Sequence, residues 1–189
     1  MMQRFEARIQ SIIDALLDTV IDKGAFDLVA DYAIPLPVTV IAEILGVESE
    51  RREDFKRWSD EVVHFVGGMA HGNDRERYRQ SWEEFKAYCL QIMAARRQEP
   101  REDIISVLVQ AEAEHDNLTD LEILNFCQLL LVAGNETTTN LIANGMLAFA
   151  TFPAEWQTLC KQPHLAPAVV EEVLRYDSPV QLTFRTTTH

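Results

Sequence analysis

An acid and an alcohol stand side by side in the middle of a long apolar stretch of this sequence, as Glu136 and Thr137. We expect the stretch to form one helix in which Glu136 is buried. A buried carboxylate is costly unless it has partners or titrates near neutrality. A threonine hydroxyl can bond the carbonyl one turn earlier, and we expect this to bend or open the helix there. Gly134 leaves room for a flat group against the backbone. Such a polar notch could relay protons to a bound ligand.

A structural interpretation of the same residues stays open. Asn135 could simply cap a second helix, with the neighbouring threonines on its solvated face, and these residues alone favour neither interpretation. Apolar residues continue on both sides of the motif, however, and place it away from a polar surface. The flanks therefore favour the functional interpretation.

A second pair of residues, Glu172 and Arg175, is spaced to share one face of a later helix and to form a bidentate ion pair. Surface pairs with this spacing are common and stabilise little, so this one alone indicates no function. The residues around this pair make a functional interpretation stronger. Pro167 opens the helix, Pro179 ends it, and the alternating segment that follows, with Arg185, is predicted to be a strand.

The elements that must position these residues are mostly helical. Apolar side chains recur at three- and four-residue steps from Phe5 to Ile21 and along residues 74–97. A capping box opens the long helix, which we expect to run from Asp120 to about Thr151. The sequence shows no alternation of strands and helices, so it does not predict a nucleotide-binding sheet. We therefore predict a mainly α fold.

Composition excludes several classes of protein. The chain has 189 residues, with 17 basic and 30 acidic side chains and a formal charge of −13. This acidity argues against binding to nucleic acid or to an anionic membrane surface. We find no signal peptide and no uninterrupted membrane span, so we expect a cytoplasmic protein. The three cysteines, Cys89, Cys127 and Cys160, lack metal-ligand spacing and are predicted to be buried, inert thiols.

The motif AGNETTT in a long helix, followed by EEVLRYDSPVQ and an arginine-bearing strand, resembles the soluble bacterial cytochromes P450, the heme-thiolate monooxygenases. The segments DLVADYAIPLPVTVIAEILGV and REDFKRWSD resemble the same family, so the resemblance spans essentially the whole chain. It implies a partial cytochrome P450 fold. Residues 1–118 would form lid and packing helices, residues 119–151 the distal oxygen-activating helix, and residues 152–189 the Glu-x-x-Arg helix and the strand after it.

The resemblance implies a role in oxygen activation for the motif of the long helix. Glu136 and Thr137 would be the acid–alcohol pair that delivers protons. Ala133 and Gly134, with Thr137, would lie where the helix passes over the heme. Arg185 would pair with a heme propionate.

The resemblance also implies roles outside that motif. Glu172 and Arg175 would form a structural ion pair on the proximal side, and the loop from Gly67 to Asn73 would be the lid through which substrates enter. The residues that would line the substrate pocket are Leu130, Val132, Asn135, Val180, Leu182 and Phe184.

The family implies a heme cofactor, a small apolar substrate and a ferredoxin- or flavin-type electron donor. The sequence reaches His189 before the loop that carries the family's axial cysteine, so we expect a truncated chain without a metal ligand. Because that thiolate tunes the iron for oxygen cleavage, we expect the chain alone not to be a competent monooxygenase. The alternative is a non-catalytic helical interaction protein that self-associates through exposed apolar faces.

Overall fold

The computed structural model describes residues 2–66, 72–115, 118–182 and 187, and the regular structure within them is helical. Short 3₁₀ turns and one π-helix, Val29–Ala33, join the α-helices. The α-helices are α1 Met2–Asp18, α2 Pro35–Ile44, α3 Arg52–Val66, α4 Asp74–Gln98, α5 Ile104–His115, α6 Asp120–Thr151, α7 Pro153–Lys161 and α8 Ala166–Tyr176. The predicted mainly α fold is confirmed. None of the described helices is both long and apolar enough to cross a membrane.

The long helix α6 begins and ends where its local sequence predicts. Thr119 accepts a hydrogen bond from the backbone N–H of Glu122 over 3.3 Å, and the Glu122 carboxylate accepts one from the Thr119 N–H over 2.7 Å. This reciprocal capping box satisfies two donors that a helix start leaves free. At the other end, Pro153 opens α7 directly after Phe152. The 32 residues between the caps form one helix about 48 Å long.

The hydrophobic core lies between α2, α3, α4, α5 and α6, and neither α7 nor α8 contributes a buried residue. Its centre is the Trp58 ring, which is fully buried and contacts the rings of Phe85 and Tyr88 at centroid distances of 5.8 and 5.5 Å. The other large, fully buried side chains come from all five elements or their ends: Phe55, Leu45, Met93, Ile105, Ile123, Leu124, Leu131, Val109 and Cys127.

A buried ion pair joins α4 to the residue that precedes α5. The Arg96 Nε donates to Asp103 Oδ2 over 2.6 Å, and the two side chains are only 3% and 5% exposed. The other carboxylate oxygen accepts from the backbone N–H and the hydroxyl of Ser106, each over 2.8 Å. Arg96 also donates to the Gly46 carbonyl over 3.2 Å. One pair of charges therefore connects α4, the start of α5 and the end of α2.

Gly46 follows α2 with a φ of +72°, a left-handed conformation that other residues adopt at a cost. A Cβ atom here would also overlap the Asp103 carboxylate. The glycine that ends α2 thus serves two purposes: it lets the chain turn, and it lets the buried carboxylate approach the backbone.

A second ionic contact holds α1, α2 and α3 together. Arg8 of α1 donates from Nε and Nη2 to the two oxygens of Glu43, each over 2.6 Å, and Arg52 of α3 donates to the same carboxylate over 3.0 Å. The hydrogen bonds from Arg8 hold the pKa of Glu43 below its ordinary value. Their effect exceeds that of burial, which acts in the opposite direction.

Two predicted features fall wholly or partly outside the described residues. The predicted strand after α8 has no regular structure at residues 180–182, and residues 183–186 are outside the described part of the chain. Of the loop predicted as a lid, residues 67–71 lie outside it as well.

We predict that Asp103→Ala lowers the free energy of unfolding by about 3–5 kcal/mol, because Arg96 is left buried without its counter-charge. Urea unfolding followed by circular dichroism measures the change. The matched control is Glu76→Ala, which breaks the exposed pair with Arg79 and should change stability little. Equal losses in the two variants would contradict this account of the fold.

We predict that the stabilisation from Glu43 disappears in acid. Its pKa is lowered by folding, so the contribution is present above the ordinary value of 4.5 and is lost as the pH falls through the folded value. The stability difference between the wild type and Glu43→Gln, measured by urea unfolding from pH 7 to pH 3, should therefore shrink as pH falls. Glu6→Gln, an exposed change in α1, is the control. A difference that does not vary with pH would contradict the assignment.

Candidate functional site

The motif of residues 133–139 lies in the middle of α6 and is helical throughout. Its side chains divide between two faces. The face formed by Leu131, Asn135 and Thr139 is turned to the interior, where the three side chains are 1%, 5% and 8% exposed. Ala133 and Glu136 are exposed on the other side. The site therefore consists of a fixed inner face and an open outer face of one helix.

The inner face is attached to α3 by a buried hydrogen bond. The amide Nδ2 of Asn135 donates to Ser59 Oγ over 2.5 Å, and Ser59 has no exposed surface. The resemblance predicted Asn135 as a pocket residue. In the structure, its amide is directed into the contact between α6 and α3.

Two further contacts attach the same face to the segment before α3. The Thr139 hydroxyl donates to the carbonyl of Ala33, at the end of the π-helix, over 3.0 Å. Gly134 lies against Ile41 of α2, and a Cβ atom at this position would be 2.8 Å from Ile41 Cδ1. The missing side chain of Gly134 therefore allows α2 to approach α6. The space predicted to admit a flat group at Gly134 is occupied by the Ile41 side chain.

The outer face presents Ala133, Glu136 and part of Thr137. The prediction that Glu136 is buried is wrong. Successive residues of a helix differ in direction by about 100°, so the burial of Asn135 turns Glu136 away from the interior. Sequence pattern could not show this, because apolar residues occur on every side of α6.

The hydroxyl of Thr137 donates to the carbonyl of Ala133, one turn earlier, over 2.6 Å. The predicted hydrogen bond is present, but it does not open the helix, which is uninterrupted through residues 133–139. A hydroxyl has one proton and two lone pairs, so Thr137 keeps its acceptor capacity for a group on the outer face. Ala133 projects only a methyl group there, and a flat ligand can approach the helix closely.

The residues predicted to line a pocket are distributed over several environments. Leu130 and Val132 are half-buried on α6, whereas Val180 and Leu182 are exposed after α8. Phe184, like the predicted propionate partner Arg185, lies outside the described residues. Their assignment to a pocket stays a prediction.

Glu172 and Arg175 form the bidentate pair that their spacing predicts. Arg175 donates from Nε over 2.8 Å and from Nη2 over 2.5 Å to the two carboxylate oxygens, and these hydrogen bonds lower the pKa of Glu172. The Arg175 side chain is 70% exposed and the Glu172 side chain 59%. The pair borders an apolar cavity of about 440 Å³ between α6 and α8, which Phe149, Phe152 and Val173 also line.

The cysteines supply no available thiolate in the core. Cys89 and Cys127 are buried, as predicted, and the thiols contact each other. Their hydrogen bond, together with burial, raises the pKa of Cys89. Cys160 is exposed on α7, so the prediction of burial is wrong for it. The helix in which it lies contributes no buried residue, and therefore its apolar positions do not mark a core face.

Sequence reasoning overlooked Ser59, although a signal was present. Ser59 follows Phe55 by four residues and follows Trp58 directly, so it falls on the apolar stripe of α3. A small polar residue on such a stripe indicates a buried hydrogen-bond partner on a neighbouring element.

Known proteins are similar to this sequence along nearly its whole length. Residues 4–189 match the family model described as cytochrome P450. The chain is 39% identical over 181 residues to cytochrome P450 107B1 of Saccharopolyspora erythraea, covering 95% of this chain and 43% of that protein. It is 35% identical over 176 residues to a steroid C26-monooxygenase of Mycobacterium tuberculosis, covering 93% of this chain and 47% of that one.

The fold is similar to a solved structure as well. The crystal structure of P450BioI in complex with hexadec-9Z-enoic acid ligated acyl carrier protein matches with a TM-score of 0.88 and 33% sequence identity. The match covers 96% of this chain and 47% of that one. The chain thus spans less than half the length of each of these three proteins.

The two faces of α6 predict effects of different size for the same chemical change. Thr139→Val should lower the free energy of unfolding by about 1–2 kcal/mol, because the buried Ala33 carbonyl loses its donor. Thr137→Val should change stability much less, because the Ala133 carbonyl still accepts the backbone hydrogen bond of the helix. Thermal unfolding of both variants checks the difference. A larger loss for Thr137→Val would mean that the faces are assigned wrongly.

Proposed function

Because this chain belongs to the cytochrome P450 family, we propose that it forms the distal, oxygen-activating side of a heme-dependent monooxygenase. Membership confirms the resemblance and the partial fold that it implied. One observation carries the proposal: Ala133, Glu136 and Thr137 share an outer face of α6, while the inner face of the same helix is attached to three other elements.

The outer face fits one side of a flat, largely apolar cofactor. Ala133 would lie against it with a methyl group, and Thr137 would present hydroxyl lone pairs beside it. Arg185 is the proposed partner of a propionate. Heme bound through a cysteine thiolate supplies dioxygen activation for the insertion of one oxygen atom into a substrate.

The chain's thiols do not fit the opposite side of the cofactor. Cys89 and Cys127 are buried against each other, and the raised pKa of Cys89 opposes the thiolate form that binds iron. Cys160 is exposed on α7, within a helix rather than a glycine-containing loop. We therefore propose that this chain supplies the distal face and is not a competent monooxygenase by itself.

The acid–alcohol pair would handle protons on the distal side. Thr137 commits its own proton to the Ala133 carbonyl, so it acts as a hydrogen-bond acceptor and can hold a proton that a ligand carries. The exposed carboxylate of Glu136 is in contact with solvent and can exchange protons with water. Adjacent positions on the helix would let the two residues form the outer part of a proton path.

The proposed substrate is a small apolar molecule, and the proposed electron donor is a ferredoxin- or flavin-type protein. One relative is a steroid C26-monooxygenase, and P450BioI was crystallised with hexadec-9Z-enoic acid ligated acyl carrier protein. A steroid and a hexadecenoic acid are both largely hydrocarbon. Half-buried Leu130 and Val132 next to the motif suit such a substrate. The comparisons do not support the alternative of a non-catalytic interaction protein.

The proposal predicts how the purified chain binds heme. We expect saturable binding in a Soret absorbance titration, and we expect the reduced protein with carbon monoxide to lack the thiolate-type Soret shift. Ala133→Trp should abolish binding, because the indole fills the outer face. Ala150→Trp makes the same change at another exposed position of α6 and should leave binding unchanged.

The two measurements test different parts of the proposal. If Ala133→Trp bound heme as the wild type does, the assignment of the distal face would be wrong. A thiolate-type shift in the wild type would overturn the claim that this chain lacks an available iron ligand.

A further inference from the structure

The geometry points to Ser59 and Asn135 as a positioning pair for the acid–alcohol site. Through their hydrogen bond, α3 fixes the orientation of residues 133–139 of α6, the segment called here the catalytic turn. The inference rests on the proposed function of α6. It adds a residue from a different helix, Ser59, and it assigns Asn135 a role other than contact with substrate.

The bond is of a kind that resists rearrangement. Its donor and acceptor are 2.5 Å apart, and the side chains are 5% and 0% exposed. Water cannot replace either partner, so a shift of α6 away from α3 leaves a buried amide without an acceptor. Such a loss costs more than the net value of a hydrogen bond made in water.

The position of the bond along α6 makes it specific for the site. Asn135 directly precedes Glu136 and Thr137, and a fixed direction for one helical residue fixes the directions of its neighbours. Thr139 and Gly134 restrain the same turn from the segment before α3. The Ser59 bond adds the restraint from α3 itself, so the outer face is oriented from two directions.

α3 is in turn bound to α4. Arg57 of α3 donates to Glu84 of α4 over 2.5 Å, and the Trp58 indole donates to the same carboxylate over 3.3 Å. A displacement of the α3–α4 pair would therefore reach the catalytic turn through Ser59. The Ser59–Asn135 hydrogen bond therefore couples the catalytic turn to the position of α3 and α4, in addition to stabilising the core.

Hydrogen exchange measured by mass spectrometry on the 189-residue chain tests the inference, because it resolves which part of α6 opens. In Ser59→Ala we expect exchange of amides in residues 133–139 to rise about tenfold, with little change in residues 121–128. Ser106→Ala removes a buried serine from the Asp103 network and is the matched control. It should not single out the catalytic turn.

Two more variants keep the test decisive. Ser59→Thr retains the hydroxyl and should restore slow exchange. Should Ser59→Ala fail to fold, the double variant Ser59→Ala with Asn135→Leu leaves no unsatisfied buried group and should fold, with exchange at residues 133–139 still raised.

The outcomes are distinct from those of the heme experiment. If Ser59→Ala changed exchange evenly along α6, or only as Ser106→Ala does, the positioning pair would be ruled out whatever the heme result. If the exchange pattern were as expected but the wild type bound no heme, the restraint on α6 would stand and the proposed function would fail.

Discussion

The one-sided attachment of α6 is the constraint on which the rest of the structure depends. Its first half buries Ile123, Leu124, Cys127 and Leu131 at three- and four-residue intervals, as a core helix does. The same line then continues into Asn135 and Thr139, which are polar. Since polar groups are buried at low cost only with partners, the second half of the stripe needs matching groups at particular points on other elements. Apolar burial alone would tolerate a small rotation of α6, whereas these partners do not.

One of the helices that contact α6, α2, is itself held by a buried ion pair. Arg96 and Asp103 bind the end of α2 through the Gly46 carbonyl, and α2 carries Ile41 against Gly134. Burying two charges costs several kcal/mol each, so such a pair contributes less to net stability than its short distance suggests. What it adds is geometric: it accepts few alternative arrangements. In this chain it fixes the end of α2 relative to α4 and the start of α5.

Sequence reasoning succeeded for features that are decided locally and failed for those decided by the tertiary structure. The capping box at Thr119 depends on residues four apart at most, and so does the Glu172–Arg175 pair. The direction of Glu136 depends on which face of α6 meets α2 and α3. Nearly every face of that helix carries apolar residues, so periodicity could not distinguish them. Ser59 was accessible in principle, as a small polar residue on an apolar stripe, but its partner 76 residues away was not.

The composition of residues 133–139 of α6 follows from the same division between local and tertiary contributions. Gly134, Asn135 and the three threonines from 137 to 139 are poor residues for a helix interior and together cost about 3 kcal/mol relative to alanine. The turn is helical because contacts with α2, α3 and the π-helix offset that cost. A sequence optimised for helix formation would hold its shape without those elements, and it would then be insensitive to them. Here the orientation of Glu136 and Thr137 depends on the tertiary contacts of Gly134, Asn135 and Thr139.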